Sequence, residues 1–137
     1  MFFPRTGALW LTLAVLAPAP ALADFLVAGL WRIVEVGGTA VPYRPPATLR
    51  LDAQGQASGS SGCNRFTVAW ANTGMDVTFG PVAATRMACN PVAMDIEAKL
   101  FDALERADRM TFDPMGGLVL LADGTPVARL DRSISRE

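Results

Sequence analysis

The sequence predicts a mainly β domain of the α+β class, an antiparallel meander of about eight short strands with one helix. Three observations predict it. Apolar residues alternate with polar ones in short runs, the mark of half-buried strands. Gly, Pro, Asn and Asp separate those runs and supply turn conformations. One stretch, 91–107, instead repeats its apolar residues at helical spacing. The 137 residues suit a single domain, and 51% hydrophobic with 18% charged side chains suits a packed core rather than a disordered chain.

The strands follow in order. Trp31 to Val36 ends at Gly37-Gly38, a hairpin turn into Thr39 to Val41. Pro42, Pro45 and Pro46 then forbid regular strand and mark an irregular crossing or edge. Thr48 to Asp52 places Leu49 and Leu51 on one face, and Ala53-Gln54-Gly55 turns the chain into Gln56 to Ser60. Phe66, Val68 and Trp70 alternate with Thr67, Ala69 and Ala71; beyond Asn72-Thr73-Gly74, Met75, Val77 and Phe79 do the same. Arg109 to Phe112, Leu118 to Leu121 and Val127 to Leu130 complete the meander, with turns at 114–117 and Asp123-Gly124. Trp31, Phe66, Trp70 and Phe79 read as core on this pattern, with a ligand stack as the alternative.

The helix has a start signal. Asn90 is a good N-cap, and Pro91 fits the first helical position, where its missing N–H costs nothing. Ala93, Ile96, Leu100, Phe101, Leu104 and Ala107 fall on one face. Asp95 with Lys99 and Asp102 with Arg106 are i,i+4 pairs on the opposite face, each worth about 0.3 kcal/mol. Glu97 breaks the pattern, because its position lies within the apolar arc. A carboxylate facing a core must be paired or hydrogen-bonded. Arg65, Arg86 and the backbone N–H groups of 63–65 are the expected donors. The alternatives are a side chain that bends out to the wet rim and, third, a catalytic acid.

Residues 1–23 read as a secretory signal peptide. Arg5 supplies the positive charge, Ala8 to Ala17 the apolar run, and Ala21-Leu22-Ala23 the small residues before a cleavage site. Ten residues, apolar but for Thr12, followed by Pro18 and Pro20 are too few for a bilayer span, which takes roughly 20. The expected layout is a domain over 24–137 with a core of about 28–131, in a periplasmic or secreted protein with no integral membrane span. Export would bring Cys63 and Cys89 into an oxidising compartment and pair them; otherwise they are two buried thiols. Such a bridge is worth about 3–4 kcal/mol in the chain-entropy model.

Composition excludes whole classes of chemistry. The chain has no histidine, so imidazole bases, His-based triads and His metal ligands are absent. A net charge of −1 with no basic patch argues against nucleic-acid binding. Gly59-Ser60-Ser61-Gly62 lacks the base of a nucleophile elbow, and the single lysine, Lys99, lies far from any phosphate loop. The four residues read as a tight turn beside a disulfide. Cys63 and Cys89 lack the spacing of a dithiol redox motif. No catalytic, metal or cofactor site is expected.

Three segments carry a family resemblance: Gly59-Ser60-Ser61-Gly62-Cys63-Asn64-Arg65-Phe66, Thr85-Arg86-Met87-Ala88-Cys89, and Glu97 on the helix. With Trp31-Arg32, Leu118-Val119-Leu120 and Asp123-Gly124, the chain closely resembles the META domain family over residues 28–131. The resemblance implies a curved antiparallel sheet, close to a half-barrel, wrapped about one helix. It gives Gly62, Asn64, Arg65, Thr85, Arg86 and Glu97 a structural role and brings no catalytic site with it. It also implies an envelope or stress-associated role. Many bacterial members are lipoproteins, whereas this chain has no cysteine near the cleavage site. The expected protein is a monomeric, non-enzymatic structural or interaction module with a protein partner of unknown identity. The alternative is a carrier of a small apolar ligand in the open side of the half-barrel.

Overall fold

The structure is a computed structural model that describes residues 4, 6–14 and 22–132. A short helix α1 (Leu22–Val27) leads into β1 (Gly29–Val36), β2 (Thr39–Ala40), β3 (Thr48–Leu51), β4 (Gln56–Ser60), β5 (Arg65–Thr73), β6 (Asp76–Phe79) and β7 (Ala83–Ala84). Helix α2 (Pro91–Arg106) follows, then β8 (Arg109–Phe112), β9 (Leu118–Ala122) and β10 (Thr125–Arg132).

Eight of these strands close into an antiparallel barrel, in the order β1, β3, β4, β5, β6, β8, β9 and β10. The closing contact is β10 against β1, with Trp31 opposite Arg132 and Ile33 opposite Leu130. This corrects the half-barrel expectation: both edges that it left open are hydrogen-bonded to each other. Closure removes two unpaired rows of N–H and C=O groups, the reason barrels are stable where open edges are liabilities. The seam between β6 and β8 is the narrowest, one register pair at Asp76 and Arg109 flanked by Val77 N–H to Asp108 C=O (3.1 Å) and Met110 N–H to Met75 C=O (2.7 Å).

Period-two alternation sets the interior. In β5, Phe66, Val68 and Trp70 are buried while Arg65, Thr67 and Ala69 face out. Trp31, Leu49, Leu51 and Met110 join them with essentially no exposure. Eight strands give a bore that side chains can fill, and here they fill it. Gly59, inside β4, is required by close approach rather than by a turn: a Cβ there would stand 1.9 Å from the Thr48 carbonyl oxygen.

The crossover from β6 to β8 carries α2, which packs against β1, β6, β9 and β10. Its N-cap is as the sequence predicts, with Asn90 accepting from the Ala93 N–H at 2.9 Å. Ile96, Leu100, Ala103 and Leu104 face the core. The outer pairs form at 2.8 Å (Asp95–Lys99) and 3.1 Å (Asp102–Arg106). Lys99 does more than a solvated pair: its ammonium also donates to Thr39 Oγ1 at 2.8 Å, holding the helix to the β1–β2 hairpin. Phe101 meets the Phe66 ring edge-on at 5.4 Å between centroids.

Among the described residues two helices are present where one was expected. Helix α1 was hidden because its apolar residues continue those of the leader segment. Its last residue, Val27, is fully buried and its C=O accepts from Trp31 Nε1 at 2.8 Å. Arg132 stacks over the Trp31 ring at 4.1 Å and donates to the C=O groups of Ala28 and Leu26. The packed unit therefore includes Val27 and Arg132, one residue beyond each end of the expected 28–131 core. Residues 6–14 are exposed and form neither helix nor strand. Arg5, Pro18, Pro20 and Ala21 of the expected signal lie outside the described residues, whereas Leu22 and Ala23 begin α1.

Candidate functional site

The turn between β4 and β5 gathers most of the motif residues. It closes through the Ser61 N–H to the Asn64 C=O at 2.9 Å. Gly62 takes a positive φ of 89° beside the Pro45 carbonyl, a backbone state that side chains rarely adopt. The disulfide Cys63–Cys89 ties this turn to the residue before the α2 N-cap, with Cα atoms 6.0 Å apart. Met94, one turn into the helix, rests its sulfur 3.9 Å from Cys63 Sγ and accepts from the Cys89 N–H at 3.5 Å.

Ser61 and Glu97 form the buried centre. Ser61 is 2% and Glu97 8% exposed, and Ser61 Oγ donates to Glu97 Oε1 at 2.8 Å. The same Oγ accepts from the N–H groups of Asn64 (2.9 Å) and Cys63 (3.2 Å). Its proton and its lone pairs are all engaged within the turn and with the helix. The helical phase of Glu97 is as expected; the donor is not. Arg65 faces out because its strand neighbour Phe66 faces in, and Arg86 is exposed; neither bonds Glu97. A hydroxyl in a turn carries no periodic signal, which is why the sequence pointed to the arginines.

Asn64 organises the second strap. Its Oδ1 accepts from Thr85 Oγ1 (2.9 Å) and the Met87 N–H (2.7 Å), and its Nδ2 donates to the Met87 C=O (3.1 Å). Thr85 Oγ1 accepts in turn from the Arg65 N–H at 3.1 Å. Asn64, 1% exposed, thus acts as a surrogate strand for the 85–87 segment. Of the motif residues, Gly62, Asn64, Thr85 and Glu97 are brought together through contacts of their own. Arg65 contributes backbone alone, and Arg86 lines a cleft.

Two clefts flank α2. One of about 410 Å³ lies between its first turn and the proline crossing, lined by Val41, Pro42, Pro45, Val92 and Ile96 with Arg44. The other, about 430 Å³, is lined by Asn64, Thr85, Arg86, Met94, Glu97 and Phe101. Among the described residues no three His, Cys, Asp or Glu side chains cluster to hold a metal ion, and no helix is long and apolar enough to cross a membrane.

The geometry can be set beside known proteins. An NMR structure of a protein from Burkholderia xenovorans is similar at 30% identity, with a TM-score of 0.67, over 85% of this chain and 93% of that one. A second protein structure solved by NMR shares the fold at 20% identity and TM-score 0.62, over 80% of this chain and 94% of that one. Among curated proteins, none matches the chain. The META domain model matches residues 24–134, from within α1 to just past β10. The chain belongs to the META domain family.

Proposed function

We propose that this protein is a non-enzymatic interaction module, exported with its 1–23 leader removed after Ala23, that supports the cell envelope under stress. The observation that carries the reading is the filled barrel. Trp31, Leu49, Phe66, Trp70 and Leu120 from the strands, with Leu100 and Leu104 from α2, occupy the interior that a carrier would keep open for its passenger. The carrier alternative rested on an open half-barrel, and the β1–β10 pairing takes that opening away. What the protein offers other molecules is then its outer surface, above all the two clefts beside α2. The engaged hydroxyl of Ser61 supports a role without catalysis.

Native mass spectrometry of protein purified from an exported fraction tests the reading. The expected species is the processed chain without a small apolar passenger. A stoichiometric apolar passenger would overturn it in favour of a carrier. A deletion strain adds the cellular arm: it should lose resistance to envelope stress, and a copy without residues 1–23 should fail to restore it.

A further inference from the structure

Glu97 uses half of its carboxylate. Oε1 is taken by Ser61 at 2.8 Å, whereas Oε2 receives no hydrogen bond from any described residue. No buried side-chain oxygen among the described residues is left sealed without a partner, so Oε2 is reached from outside. The way in is the cleft of about 430 Å³ that Glu97 lines. Its other walls are mixed: Asn64, Thr85 and Arg86 are polar, and Val82, Met94 and Phe101 give it an apolar side. A half-paired carboxylate that lines a cleft with such an apolar side attracts a cation whose attached chain is itself apolar.

We propose that this cleft receives a lysine side chain of a partner protein, its ammonium on Glu97 Oε2 and its four-carbon stem along Met94 and Phe101. This deepens the interaction-module reading and rests on it. Lysine fits better than arginine because a single acceptor atom is free. The guanidinium fork is matched to both oxygens of a carboxylate, and Ser61 already holds one. Arg86, which lines the same cleft, suits an acidic neighbour of that lysine and opposes a bare cation. Met87, 58% exposed and lining the same cleft, offers adaptable apolar contact.

The test uses the processed chain with N-acetyl-lysine methylamide as probe and N-acetyl-norleucine methylamide as its uncharged counterpart, read by NMR at the Met94 methyl and the Asn64 amide. The expected result is a saturable shift with the lysine probe and none with norleucine. Glu97→Gln keeps an acceptor for Ser61 and removes the charge; it should weaken the lysine probe about tenfold. Arg86→Ala, on an exposed side chain that carries no fold contact to Glu97, should tighten it several-fold and keeps the test decisive if the Glu97 variant unfolds. Equal response to the two probes, no saturable shift, or unchanged lysine affinity in both variants would overturn the proposal. Those failures leave the interaction-module reading standing, since that reading falls to a retained passenger in native mass spectrometry.

Discussion

Ser61 and Glu97 stand 36 positions apart in the chain, and a 2.8 Å hydrogen bond joins them at the point where helix α2 meets the cysteine-bearing turn. The bond links two elements that sheet pairing does not connect. Because both residues are buried, each is an obligatory partner of the other: losing one leaves a polar atom of the other to be satisfied elsewhere.

Single substitutions at the pair should rank by what they leave unpaired. Ser61→Ala strips the acceptor from the Asn64 and Cys63 N–H groups as well as the donor from Glu97, and should cost about 2–4 kcal/mol. Glu97→Gln retains an oxygen that accepts from Ser61 and should cost less, about 1 kcal/mol. Urea midpoints check the order; a Gln variant less stable than the Ser61 variant would reverse it.

The Cys63–Cys89 bridge closes a loop of 26 residues that contains β5, β6 and β7. Replacing both cysteines with serine should lower stability by about 3 kcal/mol. Thiol titration of the exported protein under denaturing conditions should find no free thiol. Two reactive thiols would contradict the pairing.

Gly59 has no room for a side chain. Gly59→Ala places a methyl 1.9 Å from the Thr48 carbonyl in the β3–β4 ladder, so that backbone must part. A loss of about 3 kcal/mol is expected, at the upper end for overpacking. A thermal midpoint within a degree of wild type would show that β3 and β4 are not in this register.

Processing after Ala23 should leave the fold untouched, because it keeps Val27, which is fully buried. Intact mass should place the exported N-terminus at Asp24. A chain begun at Gly29 instead loses the buried Val27 side chain and the acceptor of Trp31 Nε1, and should be destabilised by about 2–3 kcal/mol. Equal stability of the two chains would remove α1 from the folded unit.

Local signals in the sequence were enough for local structure. The alternation of Phe66, Val68 and Trp70, the Asn90-Pro91 helix start and the inward phase of Glu97 are each set within a few residues, and each appears as read. Closure was not legible, since nothing within β1 or β10 says that Trp31 will lie opposite Arg132, a hundred residues away. The partner of Glu97 escaped for a related reason. A serine in a glycine-rich turn reads as turn chemistry, and the obvious cations Arg65 and Arg86 drew the pairing that the serine hydroxyl makes. Asn64 likewise shows its role only when the 85–87 segment is placed beside it.

The central claim is that Ser61 and Glu97 act as one unit joining helix to barrel, and a double-mutant cycle measures that directly. Stability is determined by urea unfolding for wild type, Ser61→Ala, Glu97→Ala and the double variant. The account predicts a coupling energy of about 1–2 kcal/mol, the double variant being more stable than the two single losses added together. Additive losses, with coupling below about 0.5 kcal/mol, would contradict it.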